Sequence, residues 1–296
     1  MSLFCRHNRL TTKCPICSKE LREDLRAELR SKAPARTRST ATRGGSGARP
    51  RGVVTRRLAR AADDGYRNPL VPGLRATADA ERLAAALTGA TARLEPPGPY
   101  PAVAAEPDIE EATWLAFLLA LAGADAPQVQ QAIAADRPTW ASGDTPDLPG
   151  DRGRTIAAYR TWVARAGSQA AAFGGEDAWS PQRRFSRVFE RLTLPGFTRA
   201  ARFELLAGLG AAGRYALEAA ELHLAAGEDA TTEAAKRLLV SGDKLLLERR
   251  ARDLAAATEV PITALDRGLA VWGTPGDHAD LAAEAPAPVR AALSLR

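Results

Sequence analysis

No run of alternating β-branched residues, the pattern of a half-buried strand, occurs in this chain of 296 residues. Its hydrophobic residues, 45% of the chain, are mostly Ala and Leu, with only seven Phe, four Tyr and one Met. Ala and Leu have high helix propensities. The sequence therefore predicts an all-α protein, and its length is ample for a buried core.

Ten segments are predicted to be helical, and Pro, Gly and Asp residues separate them. They span residues 77–90, 108–122, 127–135, 151–166, 181–191, 198–210, 213–224, 230–240, 243–257 and 261–272. We assign residues 58–275 to the helical domain. The Ala- and Pro-rich residues 276–296 are expected to form a loosely packed tail.

A group of four potential metal ligands lies near the start of the chain: Cys5, His7, Cys14 and Cys17. Structural Zn²⁺ sites are tetrahedral, and sites with three Cys and one His are common. Three cysteines cannot all pair as disulfides, which argues against an extracellular disulfide framework. The pattern predicts a structural Zn²⁺ in a zinc knuckle at residues 1–20. A redox Cys-x2-Cys pair or free thiols are the alternatives.

Positive charge is concentrated at the beginning of the chain. Residues 1–75 contain 18 Lys/Arg against 6 Asp/Glu, whereas the rest contain 23 against 29. Residues 31–60 hold nine Lys/Arg and no acid among small residues, which predicts disorder. We therefore assign residues 21–57 to a basic flexible linker. A basic arm is typical of a nucleic-acid partner, here DNA, and a solvated tail without a partner is the alternative.

The sequence predicts neither a membrane span nor a signal peptide. It has no stretch of 18 apolar residues, and Arg6, His7, Asn8 and Arg9 interrupt the N-terminal segment. We expect a cytoplasmic protein, with association with the nucleoid as one option. A reducing compartment suits thiolate ligands.

Residues 189–202, FERLTLPGFTRAAR, predict two helices joined by a tight Leu-Pro-Gly-Phe turn, a helix-hairpin-helix. Backbone amides at the N-terminus of the second helix favour a phosphate. Gly196, Thr198, Arg199 and Arg202 are therefore predicted to contact nucleic acid. An ordinary helix connector is the alternative.

Asp229 fits the N-cap of the helix that contains Lys236, and Asp243 fits the N-cap of the following helix. A capping carboxylate close to a phosphate-binding turn is a candidate acid, base or electrostatic stabiliser. We therefore predict catalytic roles for Asp229, Lys236 and Asp243. The alternative is that the two aspartates only cap their helices.

The order of hairpin and then aspartate at the start of a following helix resembles the helix-hairpin-helix DNA glycosylase superfold. The resemblance implies that the hairpin holds DNA and that the aspartate acts on a flipped-out nucleotide. Thr198 replaces the second glycine of the usual Leu-Pro-Gly-x-Gly turn. Arg199 and Ala200 stand where bifunctional members have a lysine, so Schiff-base lyase chemistry is not expected.

A closer resemblance covers most of the chain. Its segments are FCRHNRLTTKCPICSKE near the start, RRLARAADDGYRNPLVPGLRA at 56–76, RAGSQAAAF at 165–173, WSPQRRFSRVFERLTLPGF at 179–197 and DATTEAAKRLLVSGDKLLLERRARDLA at 229–255. They are similar to the alpha-glutamyl/putrescinyl-thymine pyrophosphorylase clade 3 family. This resemblance implies a glycosylase-like helical fold. The implied reaction displaces pyrophosphate from a pyrophosphorylated 5-hydroxymethyl pyrimidine in DNA by an amine or amino acid.

The departure of pyrophosphate requires cations or a metal to stabilise the developing negative charge. Arg183 and Arg184 are predicted to supply such charge beside the hairpin and to bind nucleic acid. Two alternatives to a base-modifying enzyme stay open. One is a non-catalytic zinc- and DNA-binding protein of glycosylase-like fold, and the other is an interaction module in which the zinc knuckle binds a protein partner.

Overall fold

The structure is a computed structural model that describes residues 61–123, 126–146, 148, 152–225, 229–274 and 284–295. These residues form helices and no strand, so the predicted all-α class is confirmed for them. In chain order the helices are α1 (Thr77–Ala92), α2 (Pro101–Ala105), α3 (Ile109–Ala122), α4 (Pro127–Ala135), α5 (Gly153–Ala166), α6 (Gln169–Gly174), α7 (Pro181–Arg191), α8 (Arg199–Ala211), α9 (Ala230–Leu239), α10 (Lys244–Thr258), α11 (Ile262–Gly273) and α12 (Ala287–Ala292).

Polar side chains fix the first residue of many of these helices. In each case a Ser, Thr or Asp side chain accepts a hydrogen bond from a backbone N–H of the first turn, which would otherwise lack a partner. These residues are Asp108, Ser168, Ser180, Thr198, Asp229 and Asp243. The local signals explain why nine of the ten predicted helices begin and end within two residues of their predicted bounds.

The buried side chains form two hydrophobic clusters. The middle cluster is built by α2 to α8 around Trp114, Phe117 and Tyr159, and the rings of Phe117 and Tyr159 stack at 3.8 Å. The end cluster combines α1 with α9 to α12. The chain therefore leaves the end cluster after α1, builds the middle cluster and returns through residues 212–225.

The predicted helix over residues 213–224 is wrong, because this segment crosses between the clusters without helical structure. The carboxylate of the buried Glu248 accepts hydrogen bonds from Leu222 N and Leu224 N, each at 2.8 Å. Arg199 Nη1 donates to Leu222 O at 2.6 Å. These partners occupy backbone groups that a helix needs for its own hydrogen bonds, so tertiary contacts override local propensity.

The described part of the C-terminal segment, residues 284–295, is packed, unlike the loose tail expected from its composition. Val289 and Leu293 are buried in the end cluster. Tyr66 Oη donates a hydrogen bond to Leu293 O at 2.6 Å, and Asn68 Nδ2 donates to Ala292 O at 2.8 Å. The tail thus covers the residues that lead into α1.

None of the helices in the described ranges is long and apolar enough to cross a membrane. The four predicted zinc ligands and the basic linker at residues 21–57 lie outside the described residues. The zinc knuckle and the linker therefore stay predictions. All described residues lie in the unit Thr55–Arg296.

Candidate active site

A cleft of about 650 Å³ lies between helices of the two clusters. The middle cluster contributes the end of α3, the start of α5, the turn before α8 and part of α8. The end cluster contributes the start of α9 and one face of α11. A cleft of this size is typical of sites for small molecules.

Arg199, the first residue of α8, is buried beside this cleft and binds two carboxylates that line it. Its Nη2 donates to Asp266 Oδ1 at 2.6 Å. Its Nε lies 2.9 Å from Asp229 Oδ2. The two groups form an ion pair, but the N–H of Nε does not point at the oxygen and makes no hydrogen bond to it. We call Asp229, Arg199 and Asp266 the carboxylate cluster. It joins α8, the start of α9 and α11.

The environment of the carboxylate cluster shifts the pKa values of Arg199 and Asp266. Burial alone disfavours a charged guanidinium, but the negative charges of Asp266 and Asp229 outweigh it and raise the pKa of Arg199. Burial raises the pKa of Asp266 to about 6, even though Arg199 acts in the opposite direction. Asp266 is therefore a carboxyl group that gains and loses its proton near neutral pH.

Asp229 caps α9 and also lines the cleft. Its Oδ2 accepts hydrogen bonds from Thr232 N at 2.9 Å and Thr232 Oγ1 at 2.8 Å, in addition to the ion pair with Arg199. Its Oδ1 has no hydrogen-bond partner among the described residues. One oxygen therefore holds the helix start in place, while the other is available to a ligand.

Glu204, on α8, is a third carboxylate of the cleft. Its Oε1 is 2.5 Å from Arg93 Nη2 and accepts a hydrogen bond from Tyr100 Oη at 2.8 Å. Burial, reinforced by the negative charge of Glu204, raises the pKa of Tyr100 well above its usual value, so Tyr100 stays a hydrogen-bond donor. Arg93 compensates the charge of Glu204.

The turn between α7 and α8 forms another part of the cleft wall. Phe197 N donates to Leu194 O at 3.1 Å, and Gly196 has a φ of +75°, as in a type II turn with Pro195 before the glycine. Thr155 Oγ1, from α5, donates to Pro195 O at 2.7 Å. A Cβ on Gly196 would lie only 2.6 Å from Thr155 Oγ1, so both the backbone conformation and the packing at this position favour glycine.

The predicted nucleic-acid contacts occupy different environments. Gly196 and Thr198 line the cleft, and Thr198 Oγ1 caps α8 by accepting from Ala201 N. Arg183 is exposed and lies over the ring of Trp179. Gly196, Thr198 and Arg183 are thus placed where a ligand can reach them, and their role in binding stays a prediction.

The other three predicted contacts are turned into the protein. Arg199 differs most from the expected phosphate contact, because its buried guanidinium is held by two aspartates and cannot bind a phosphate without losing them. Arg184 donates to the backbone oxygens of Gly174, Ala216 and Glu176. Arg202 donates to Phe189 O and Thr193 Oγ1 and lies 4.4 Å from the Phe189 ring. These contacts hold the hairpin together.

Of the three predicted catalytic residues, only Asp229 lines the cleft. Lys236 Nζ forms an ion pair of 2.7 Å with Glu233 on the exposed side of α9. Asp243 accepts from Leu246 N at 2.8 Å as the exposed cap of α10. Asp229 and Asp243 cap two different helices, α9 and α10, and Lys236 lies on the exposed side of α9. The structure therefore does not bring the three residues into one site.

Two cleft residues, Asp266 and Arg152, were not found from the sequence. Asp266 lies beside Leu265 on the buried side of α11, and a charged residue on an apolar face is the signal that points to it. Arg152 precedes α5, and its Nη1 is buried with no hydrogen-bond partner among the described residues. No local pattern marks Arg152.

Within the described ranges, no group of three or more His, Cys, Asp or Glu side chains could hold a metal ion. The three carboxylates of the cleft therefore do not form such a group. The predicted Zn²⁺ ligands, Cys5, His7, Cys14 and Cys17, lie outside these ranges, and their metal site stays a prediction.

The fold and the cleft define an all-α protein with a buried arginine and paired carboxylates at a small-molecule-sized site. Residues 145–275 match the family alpha-glutamyl/putrescinyl thymine pyrophosphorylase clade 3. The match includes α5 to α11, and with them the hairpin and the carboxylate cluster. The resemblance to this family is thereby confirmed over that region. Searches of curated proteins and of solved structures gave no significant match.

Proposed function

We propose that this chain is a DNA base-modifying transferase whose active site is the cleft. In the proposed reaction an amine or amino acid displaces pyrophosphate from a pyrophosphorylated 5-hydroxymethyl pyrimidine. The observation that supports it most is the position of Asp229, whose Oδ1 has no partner in the described chain, in one cleft with the turn at Gly196. The family match covers both residues.

We further propose that the fold is of the helix-hairpin-helix DNA glycosylase type. The hairpin of α7 and α8 is followed by an aspartate at the start of α9, and both border the cleft. In this arrangement the hairpin contacts the DNA backbone, and a base leaves the stack to enter the cleft. A volume of about 650 Å³ is sufficient for a pyrimidine with its substituent.

The cleft offers groups for both halves of the displacement. The leaving pyrophosphate needs positive charge, and Arg152 lines the cleft with a buried guanidinium nitrogen that has no hydrogen-bond partner in the described part of the chain. The nucleophile needs a group that orients it and removes a proton, for which Asp229 Oδ1 is placed. The zinc knuckle and basic linker would hold DNA outside the cleft through counterion release.

A non-catalytic DNA-binding role is the second candidate. It is favoured by the three contacts of Asp229 Oδ2, because a carboxylate that caps a helix and binds a buried arginine already has a structural reason to be present. The two functions differ in their response to loss of the Asp229 charge. Asn is as good an N-cap as Asp, so Asp229→Asn should keep α9 intact.

The test is an assay of the full chain with duplex DNA that contains pyrophosphorylated 5-hydroxymethyluracil, offered separately with a diamine and with glutamate. Released pyrophosphate and the nucleosides after digestion are measured. We expect turnover by the native chain and a loss of at least 100-fold in Asp229→Asn, as for removal of a general base, with DNA affinity unchanged. Asp253→Asn, at an exposed site on α10, is the matched control.

Two results would contradict the proposal. Full turnover in Asp229→Asn would show that the assignment of the site is wrong. DNA binding by the native chain without turnover on either acceptor would favour the non-catalytic role instead.

A further inference from the structure

One face of α7 carries a row of exposed arginines. Arg183, Arg187 and Arg191 follow one another at intervals of four residues, and all of them are exposed. Residues four apart lie on the same side of a helix, and each interval advances about 6 Å along its axis. The opposite side of α7, with Phe185, is buried in the middle cluster. The three residues therefore form a linear array of positive charge on the surface, which we call the arginine row.

The arginine row has few partners of its own. Arg183 and Arg191 make no ion pair with a described residue. Arg187 pairs with Glu190 at 3.4 Å, but the two side chains are 52% and 63% exposed, and a surface pair of this kind stabilises a protein very little. Arg184, by contrast, donates to three backbone oxygens. An anion can thus approach the row without displacing a buried contact.

Trp179, just before α7, holds the two ends of the row. The guanidinium carbons of Arg183 and Arg191 lie 5.6 and 5.4 Å from the centre of its ring, a distance at which cation–π attraction acts. The ring packs on Gly175, where a Cβ would lie only 2.6 Å from it. One rigid aromatic side chain therefore orients both ends of the row before a ligand binds, so less conformational entropy is lost on binding.

The same indole has a hydrogen-bond donor that the described residues do not satisfy. Trp179 Nε1 is buried and has no partner among them, and the whole residue is only 6% exposed. Buried polar atoms nearly always have a partner, so this N–H indicates an acceptor that a ligand supplies. An anion drawn to Arg183 and Arg191 brings such an acceptor to the ring. Phosphate oxygens suit the site, because guanidinium groups bind them through charge-assisted hydrogen bonds.

The length of the row favours a phosphodiester strand over a single phosphate. One phosphate can contact one or two arginines, whereas the row extends for about 12 Å from Arg183 to Arg191. The successive phosphates of a nucleic-acid strand form a comparable linear array of negative charge. The chain also continues from α7 through residues 192–195 to Gly196, in the wall of the cleft. A strand on the row would therefore pass close to the place where a base can enter.

We infer that Arg183, Arg187 and Arg191 bind consecutive phosphates of one DNA strand, and that Trp179 holds the row in place and donates its Nε1–H to one of these phosphates. The inference rests on the proposed function, because it takes DNA as the partner, and it adds a contact surface outside the turn and the cleft. The row keeps the strand in register beside the cleft and so positions the nucleotide that enters it. None of these residues touches the reacting atoms.

The experiment is fluorescence anisotropy of the full chain with an end-labelled DNA duplex over a salt series. One variant changes all three residues of the arginine row to Gln. A matched control with the same net charge combines Arg75→Gln, Arg249→Gln and Arg252→Gln, all at exposed positions in other parts of the domain. The slope of the logarithm of affinity against that of salt falls by about 0.9 for each phosphate contact that is lost. We expect a slope shallower by about 2–3 and at least tenfold weaker binding in the row variant, and a change of slope below about 0.5 in the control.

Two single variants separate the contributions. Trp179→Phe keeps an aromatic ring but removes the N–H, so it should weaken DNA binding at least twofold and leave the salt slope unchanged. Arg187→Gln leaves both arginines at Trp179 in place and should lower the slope by about 0.9. It stays informative if the triple variant does not fold, and circular dichroism reports the folding of every variant.

Three results would overturn the inference. They are an unchanged slope in the triple variant, an equal loss of slope in the control, and binding of poly-glutamate that depends on the row as strongly as binding of DNA. The last result would indicate an acidic protein as the partner. Unchanged affinity in Trp179→Phe would remove Nε1 from the site.

The inference and the proposed function fail in different ways. If the triple variant loses phosphate contacts but the native chain modifies no DNA, the row stands as a DNA site and the reaction is wrong. If the native chain modifies DNA and the triple variant does so equally well at limiting DNA concentration, the reaction stands and the role of the row is wrong.

Discussion

Arg199 connects three parts of the chain that are far apart in sequence. Its guanidinium contacts Asp229 at the start of α9, Asp266 in α11 and the backbone of Leu222 in the crossing segment. Each of these lies in the part of the chain that returns to the end cluster, whereas Arg199 belongs to the hairpin of the middle cluster. One side chain therefore fixes the geometry of the cleft and the path of the chain beside it.

We predict that Arg199→Met lowers the free energy of unfolding by about 3–5 kcal/mol, because it leaves the buried Asp266 and the partly buried Asp229 without their partner. Arg199→Lys should lower the free energy of unfolding by less, because lysine keeps the positive charge. It should still be destabilising, because an ammonium lacks the planar guanidinium that binds two carboxylates. Urea unfolding measures both changes. The exposed Arg252→Met is the control and should stay within about 0.5 kcal/mol of the native chain. A loss below about 1 kcal/mol in Arg199→Met would contradict the prediction.

The site was predictable from the sequence only where a local signal exists. Asp229 stands directly before a run of helix-forming residues, so its capping position was evident. Arg152 has no such signal. The apolar face of α11 marks Asp266 as unusual but does not identify its partner Arg199, which comes from a segment that only the fold brings close. The Arg199 contact with both aspartates joins residues 30 and 67 positions apart, which spacing along one chain does not reveal.

At the scale of elements, the turn between α7 and α8 connects the hairpin to the cleft. Gly196 allows the positive φ of the turn, and the Thr155 hydroxyl lies so close that a Cβ at this position would force Thr155 to rotate or the turn to shift. A change at this one position is therefore expected to alter both the hairpin and the cleft wall. Gly143 provides a comparison, because its φ is +78° and no atom lies within 4 Å of the position that a Cβ would occupy there.

We predict that Gly196→Ala destabilises the protein by at least about 1 kcal/mol more than Gly143→Ala. In both variants an alanine must adopt a left-handed backbone conformation, which costs roughly 1–2 kcal/mol. Only in Gly196→Ala does the new Cβ also clash with Thr155. Thermal and urea unfolding compare the two. Equal losses of stability in the two variants would mean that Thr155 does not constrain the turn.

The helices themselves were largely predictable, and the exception has a physical cause. Residues 213–224 contain Ala, Leu and Glu, which favour a helix. Glu248 and Arg199 instead bind the backbone of Leu222 and Leu224 and hold the segment open. A side chain 24 residues away in sequence decides this conformation, so propensity could not. The short helices α2, α6 and α12 were missed because they have five or six residues each.

At the scale of the whole molecule, charge separates the beginning of the chain from the rest. Residues 1–60 contain 16 Lys/Arg against 4 Asp/Glu, a net of +12, whereas residues 61–296 have 25 against 31, a net of −6. A polyanion such as DNA should therefore be attracted mainly by residues 1–60. A truncated chain for comparison should begin at Ala61, because Tyr66 and the residues after it pack against the C-terminal segment.

We predict that the full chain binds DNA with an affinity that falls steeply with salt, and that residues 61–296 bind far more weakly with a shallower slope. The slope of the logarithm of affinity against that of salt counts the phosphates neutralised, at about 0.9 per contact. Fluorescence anisotropy over a salt series measures it. Equal slopes for the two chains would place the phosphate contacts in the helical domain. No binding by either would remove the support for a DNA substrate.

The division of the chain between two clusters has a consequence for synthesis on the ribosome. The apolar face of α1, with Leu83 and Leu87, is buried in the end cluster, and Leu87 Cδ2 would lie 2.7 Å from a Cβ on Gly268 of α11. The residues from 93 to 261 must be made before α11 exists. At 5–20 residues per second this takes roughly 10–30 s, during which α1 has no partner from α11. The middle cluster, complete by residue 219, can fold during this interval, so α1, which precedes the other described helices, is among the last of them to be buried.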